Sequence, residues 1–113
     1  MYEALSELNK TTGVTGSMVV GEDGIIIASD LDENVEEEAV GALAASISSN
    51  IRKSLERLNA TPLREVTVEA AYGKLFMSDV EVGILVVTTE PDINMGLVRL
   101  EMRNAATKLS VSV

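Results

Sequence analysis

The stretch that decides the fold class is Ser17-Met18-Val19-Val20-Gly21-Glu22-Asp23-Gly24-Ile25-Ile26-Ile27-Ala28. Two short apolar runs, 17–20 and 25–28, flank a four-residue segment that begins and ends with glycine. The Asp-Gly step supplies the positive φ angles that a tight turn needs, so the stretch predicts a β-hairpin. Because both runs are apolar at consecutive positions, we expect both strands to be covered on both faces and to lie centrally in a sheet.

A long amphipathic helix is predicted from Val35 to Leu58. We expect Asn34 to be its N-cap, with Glu37 at the third helical position in a box-like arrangement. One stripe of this helix consists of Val40, Leu43, Ile47, Ile51, Leu55 and Leu58. A second face consists of the small residues Gly41, Ala44, Ala45, Ser48 and Ser49. That face would allow another backbone to approach closely, which a lone surface helix rarely needs.

The remaining elements complete the order α-β-β-α-β-β-β-α. Residues 2–11 predict a short opening helix, followed by Gly13 as a C′ residue of positive φ. Strands are predicted at 64–69, 74–78 and 82–88, and the first alternates as a strand covered on one face does. Asn94 is expected to cap a closing helix with a buried stripe of Met95, Val98, Met102, Ala105 and Leu109. Without repeats or linkers, residues 1–113 are expected to form a single domain.

Composition excludes several functional classes. The 113 residues include no cysteine and no histidine, which removes disulfides, thiol nucleophiles, Ser-His dyads and the common zinc sites. The net charge of −9 and the 3% aromatic content oppose nucleic-acid binding. The acidic start lacks the basic patch of a signal peptide, and no apolar run is long enough to span a bilayer. We therefore expect a cytoplasmic protein without direct membrane insertion.

No constellation of residues indicates an enzyme, and we expect no catalytic residue, no cofactor and no metal site. Asp30-x-Asp32-x-Asn34 resembles the start of a calcium loop. However, Val35 stands where the loop needs glycine, and Gly41 stands where it needs a bidentate glutamate. No glycine-rich loop with a following lysine is present to hold phosphates.

The net charge lies entirely in the first third of the chain. Residues 1–38 hold ten acids and one base, whereas the other 75 residues hold eight of each sign. Two interpretations stay open: a solvated acidic loop with favourable charges at a helix N-terminus, or an acidic docking surface.

Together these features resemble the roadblock family, which includes dynein light chains of the roadblock type and bacterial and archaeal regulators of Ras-like GTPases. The resemblance covers essentially the whole chain and rests on residues 13–20, 23–29 and 94–99, the long helix rich in Ala and Ser, and the three-strand meander. It implies an α+β, profilin-like fold in which a five-stranded antiparallel sheet carries the long helix on one face and the terminal helices on the other. It also implies a homodimer in which the third strands pair across a two-fold axis and the long helices pack side by side.

Residue assignments follow from that resemblance. The expected dimer contacts are Gly41, Ala45, Ser48, Ser49, Val66, Thr67, Val68 and Glu69. Arg52, Lys53 and Glu56, expected to be exposed on the helix, are the expected contacts with a GTPase. Arginines that could be supplied in trans to aid GTP hydrolysis are Arg52, Arg57, Arg99 and Arg103. Val66→Pro is expected to remove a cross-dimer hydrogen bond and to yield a monomer.

Three functional hypotheses remain. The leading one is a non-enzymatic homodimeric platform that binds and regulates a small Ras-like GTPase. The alternative is a structural adaptor with no effect on a nucleotide cycle. A small-ligand sensor would need an internal cavity with polar groups, whereas the predicted core is almost entirely aliphatic.

Overall fold

The computed structural model describes residues 1–111 and confirms the predicted order of elements. The elements are α1 (Tyr2–Asn9), β1 (Val14–Val20), β2 (Ile26–Asp30), α2 (Glu37–Arg57), β3 (Glu65–Ala70), β4 (Gly73–Val80), β5 (Gly83–Thr89) and α3 (Met95–Val111). The strands form one antiparallel sheet in the order β2-β1-β5-β4-β3. The expected α+β class is therefore confirmed.

Two hydrophobic clusters lie on opposite faces of the sheet. One joins residues of α1 and α3, such as Leu5 and Val98, to Val19 of β1. The other places Ala44 of α2 against Met18 and other strand residues. Successive side chains of a strand point to opposite faces, so the adjacent residues Met18 and Val19 belong to different clusters. The sheet thus carries α2 on one face and the terminal helices on the other.

The hairpin turn forms as predicted, but one of its two strands does not lie centrally in the sheet as expected. Gly24 has a φ of +87°, and its N–H donates to the carbonyl of Gly21 at 3.0 Å. β1 is buried in the middle of the sheet, whereas β2 is an edge strand with Ile27 43% exposed. The expectation of a central β2 is therefore wrong, because an apolar run indicates hydrophobicity but not the number of neighbouring strands.

Three predicted helix ends can be compared with the structure, and two of them, the start of α2 and the end of α1, differ from the prediction. The N-cap of α2 is Glu36, because Asn34 donates its N–H to Asp32 Oδ1 at 3.1 Å and thereby belongs to a preceding turn. The predicted capping box does not form. Helix α1 ends at Asn9, although Gly13 beyond it does have a positive φ of 88°. At α3 the prediction is confirmed, since Asn94 Oδ1 accepts the N–H of Leu97 at 3.0 Å.

Candidate functional site

Helix α2 turns its small residues toward its own sheet. Gly41 and Ser48 are buried, and a Cβ at Gly41 would lie 3.2 Å from Val20 Cγ1 and 3.3 Å from the Gly24 carbonyl oxygen. The close backbone approach predicted for this face therefore occurs within the protomer, where the helix rests on β1 and the hairpin turn.

This placement corrects part of the expected dimer interface. Gly41, Ala45 and Ser48 are covered by the sheet and are not available to a second copy. Ser49 alone of the four helix residues is exposed. The sequence pattern showed two helix faces without showing which one the sheet would take.

The large apolar side chains of α2 therefore lie to one side of the face that packs on the sheet. We call this side the α2 flank; it consists of Val40, Leu43, Ile47, Ile51 and Leu58. Leu43 is 53% exposed and Leu58 is 72% exposed, while the other three are half-buried. Val40 and Ile47 pack partly against the core cluster beneath α2, whereas most of Leu43 and Leu58 is left uncovered by residues 1–111.

An apolar groove of about 470 Å³ lies beside the α2 flank. Val40 and Leu43 line one side, and Val68, Tyr72 and Leu75 from the β3–β4 hairpin are among the residues that line the other. Sequence reasoning missed Tyr72, which is 95% exposed at the hairpin turn and was noticeable only as an aromatic residue next to a turn glycine. The groove opens to solvent, so it differs from the enclosed polar cavity that a ligand sensor would need.

Strand β3 leaves one edge of the sheet free, since β4 is its single neighbour in the sheet among residues 1–111. The carbonyl of Arg64 accepts the N–H of Asp79 at 3.1 Å, and Val66 lies opposite Met77 two residues further along the same ladder. Because hydrogen-bonding direction alternates along an antiparallel ladder, the amides of Val66 and Val68 point to β4. The amides of residues 65, 67 and 69 point to the free edge.

The direction of these amides corrects the expectation for Val66→Pro. The Val66 N–H points to β4, so proline at this position would break a bond inside the protomer. Thr67 is the residue whose substitution by proline affects the free edge.

Arg52 is not the exposed contact residue that the sequence predicted. Its side chain is only 23% exposed and bridges two carboxylates, at 2.8 Å from Glu22 of the hairpin turn and 2.6 Å from Asp79 of β4. Burial acts to lower the pKa of Arg52, but the hydrogen bonds and attraction to Asp79 and Glu22 outweigh it and raise that pKa. Arg52 thus ties α2 to the sheet.

Lys53 and Glu56 are exposed on α2, as expected. At about 3.6 residues per turn both lie on the side of α2 opposite the α2 flank, which we call the outer surface of α2. Of the remaining arginines, Arg99 binds Glu65 at 2.7 Å and lies 6.0 Å from the centre of the Phe76 ring. Arg57 and Arg103 are exposed and form no ion pair within residues 1–111.

Metal and membrane sites are not found in the part of the chain that the structure describes. Residues 1–111 contain no group of three or more Asp or Glu side chains arranged to hold a metal ion. Within the same range, no helix is both long and apolar enough to cross a membrane.

Known proteins similar to this chain include a domain family and a relative of high identity. A family model described as the Roadblock/LC7 domain matches residues 1–89. The protein MJ0714 of Methanocaldococcus jannaschii is 44% identical over 105 residues, which are 93% of this chain and 89% of that relative.

Solved structures share the fold at lower identity. A Roadblock/LC7 domain from Streptomyces avermitilis has a TM-score of 0.91 at 20% identity, covering 97% of this chain and 94% of its own. MglB of Myxococcus xanthus has a TM-score of 0.88 at 22% identity, covering 95% and 89% respectively.

Proposed function

Because the chain belongs to the Roadblock/LC7 domain family, we propose that it is a homodimeric, non-catalytic platform that binds a small Ras-like GTPase and alters its nucleotide cycle. Family members are generally non-enzymatic regulators or adaptors. The observation that carries the proposal is the continuity of an open strand edge, an apolar groove and the uncovered α2 flank on one side of the protomer.

A second copy is the occupant that suits this surface. The free edge of β3 presents amides and carbonyls that another β3 can bind in an antiparallel arrangement around a two-fold axis. The same approach would cover Leu43 and Val68, which are 53% and 38% exposed in the protomer. Hydrogen bonds at the edge and apolar burial in the groove thus favour the same partner.

The outer surface of α2 would remain open in such a dimer. Lys53, Glu56 and Ser49 lie there, on the side of the helix opposite the α2 flank. We assign the GTPase contact to this surface and replace Arg52 in the contact set with Ser49, because Arg52 already holds two carboxylates. A dimer would present two such helices next to one another.

We propose that the chain acts by changing the shape of the GTPase. Insertion of an arginine into its active site would have to use Arg57 or Arg103, because the other two candidates are already paired. Arg52 and Arg99 each bind carboxylates of their own chain. Releasing either one would leave those carboxylates without their partner, which opposes its use in trans.

The proposed dimer is tested with Thr67→Pro. This change removes one N–H from the free edge and leaves the N–H groups that point to β4 in place. We expect a folded monomer, measured by light scattering for mass and circular dichroism for secondary structure. A folded variant with an unchanged dimer mass would exclude pairing through β3.

The proposed regulation is tested by recovering partners from native lysate with the tagged wild-type chain, in the presence of GTP or GDP analogues. Any GTPase recovered is then assayed for single-turnover GTP hydrolysis. The variant Lys53→Glu/Glu56→Lys changes the outer surface of α2, and Glu3→Lys/Lys10→Glu is the matched control on α1 and its C-terminal end.

Nucleotide-dependent recovery with altered hydrolysis, lost in the α2 variant and kept in the control, is the expected result. Recovery of other proteins without dependence on nucleotide would favour the structural adaptor instead.

A further inference from the structure

Two hairpin turns meet at one end of the sheet. Val20 of β1 lies opposite Ile84 of β5, so the β1–β2 turn that follows Val20 lies beside the β4–β5 turn that precedes Ile84. A cavity of about 200 Å³ joins the two turns and is lined by residues 21–22 and 79–83. The proposed function uses neither turn.

Two isoleucines are exposed beside these turns. Ile25 is 67% exposed and Ile27 is 43% exposed, whereas Ile26 between them packs against the cluster beneath α2. The ladder with β1 continues to Ile25, whose carbonyl accepts the N–H of Gly21 at 2.8 Å. Because successive side chains of a strand point to opposite faces, Ile25 and Ile27 lie on the face of the sheet opposite α2.

We call this surface the turn patch; it consists of Ile25, Ile27, Val80 and Val82. Val80 and Val82 are half-buried and pack against the cluster on the face opposite α2. Ile27 reaches the β4–β5 turn, since its Cδ1 lies 3.5 Å from the position of a Cβ on Gly83. The patch extends that cluster to the end of the sheet, where residues 1–111 leave much of its two isoleucines uncovered.

Four carboxylates border the turn patch. Glu22 and Asp23 lie in the β1–β2 turn, and Asp79 and Glu81 lie at the end of β4 and in the turn that follows it. Arg52 binds Glu22 and Asp79, while Asp23 and Glu81 form no ion pair within residues 1–111. The border therefore keeps an excess of negative charge, which attracts Lys and Arg side chains and repels the phosphates of membranes and nucleic acids.

Both hairpins that present the patch are held in place before any partner binds. Asp23 Oδ1 accepts the N–H of Ile25 at 3.0 Å, and a Cβ on Gly24 would lie only 3.6 Å from Ala42 Cα of α2. Arg52 ties the two hairpins to α2 through its two ion pairs. An ordered surface loses little conformational entropy on binding, so its exposed isoleucines suit the role of anchors.

The edge of β2 does not suit the addition of another strand. Val20 lies opposite Ile26 and Val19 lies opposite Ala28, so Ile27 is the extra residue of a β-bulge. A bulge interrupts the regular series of N–H and C=O groups that an added strand would need. A helix instead binds through its side chains, with apolar residues about one turn apart and charged residues beside them.

We infer that the turn patch binds a basic amphipathic helix of a partner protein. Ile25 and Ile27 are the apolar anchors, and the carboxylates of the border pair with Lys or Arg side chains of that helix. No residue of the patch belongs to β3, to the α2 flank or to the outer surface of α2, so the site depends neither on the homodimer nor on the GTPase of the proposed function. Glu22 and Asp23 thereby give part of the acidic first third of the chain a role in recognition.

Fluorescence anisotropy with a labelled synthetic helix tests the inference. The probe is a peptide of about 18 residues with leucine at every third or fourth position and lysine at the others, and a second probe carries glutamate in place of lysine. We expect the wild-type chain to bind the lysine peptide and not the glutamate peptide. Ile25→Ser/Ile27→Ser should raise the dissociation constant of the lysine peptide by about tenfold or more, because the helix no longer buries the exposed parts of two isoleucines.

Leu97→Ser/Leu100→Ser is the matched apolar control, since these leucines are 39% and 49% exposed on α3. This control should leave the dissociation constant of the lysine peptide unchanged, and circular dichroism verifies that each variant is folded. Weakening by the control that equals the effect of the isoleucine substitutions would overturn the assignment to the turn patch, because attraction to the net charge of the chain would then explain the binding. A wild-type chain that binds both peptides alike, or neither, would overturn it as well.

The role of the border is tested separately with Asp23→Asn/Glu81→Gln. This variant should weaken binding of the lysine peptide severalfold at an ionic strength of about 0.05 M and much less at about 0.5 M, because salt screens exposed charges. Glu3→Gln/Glu90→Gln removes the same charge from exposed positions away from the two turns and should have no such effect. Equal dissociation constants for these two variants would overturn the pairing with the carboxylates. Each of these results is independent of whether a GTPase is recovered from lysate.

Discussion

Leu43→Ser is the substitution that most directly measures the apolar contribution to the proposed dimer. Leu43 is 53% exposed beside the groove, so about half of its side chain remains to be buried by a partner. Full burial of a leucine side chain is worth about 1.5–3 kcal/mol, so the exposed half contributes about 0.8–1.6 kcal/mol. A symmetric dimer contains two such residues, and the expected loss is about 1.6–3.2 kcal/mol.

This loss corresponds to a rise in the dimer dissociation constant of about 15- to 200-fold. Analytical ultracentrifugation over a concentration series measures it directly. Leu100→Ser is the matched control, since Leu100 is 49% exposed on α3, on the opposite face of the sheet. The two substitutions remove similar amounts of buried and exposed apolar surface from the protomer, so their effects on unfolding should be comparable.

Equal dissociation constants for the Leu43→Ser and Leu100→Ser variants would refute this apolar contribution to the dimer. So would a change of less than about threefold in the dissociation constant of Leu43→Ser, because threefold corresponds to about 0.7 kcal/mol, which is below the expected loss. Either result would mean that the groove and the α2 flank stay open to solvent in the assembled protein.

Three further predictions concern the protomer itself. Gly41→Leu should lower the unfolding free energy by about 1–2 kcal/mol in chemical denaturation, because overpacking against Val20 outweighs the gain in helix propensity. Ser17→Ala should cost about 1 kcal/mol in the same assay, because the buried Ser17 hydroxyl donates to Asn9 Oδ1 at 2.7 Å. The hydrogen bond and the charge of Lys108 lower the pKa of Glu7 in the folded state. The resulting contribution to the free energy of unfolding is present above the ordinary pKa of 4.5 and is lost as pH falls through the lowered pKa. In the Glu7→Gln variant the free energy of unfolding should therefore fall less steeply as pH is lowered through that range.

Each of these has a control on the same element or surface. Ala42→Leu places the same side chain on the exposed side of α2 and should leave stability nearly unchanged. Ser49→Ala removes an exposed hydroxyl and should have no measurable effect. Glu3→Gln removes a carboxylate of α1 that forms no ion pair within residues 1–111, and should leave the acid profile as it is in the wild type.

Local patterns were sufficient to predict the elements of this fold. Gly24 next to Asp23 gave the hairpin turn, because the positive φ needed there is a property of those residues themselves. The three-and-four spacing along residues 35–58 predicted α2, and the strict alternation at 64–69 predicted a strand covered on one face. In each case the decisive interactions lie within a few residues along the chain.

Tertiary contacts decided what those elements face. The sequence contains two apolar surfaces on α2, and only packing against Val20 and Gly24 selects the small one for the sheet and leaves Leu43 outside. The ion pairs of Arg52 could not be predicted, because Glu22 and Asp79 are distant in sequence and only folding brings them beside it. The position of β2 at the edge and the direction of the Val66 amide depend likewise on which strand pairs with which. Such choices are made by residues far apart in the chain, so no local pattern of spacing or composition contains them.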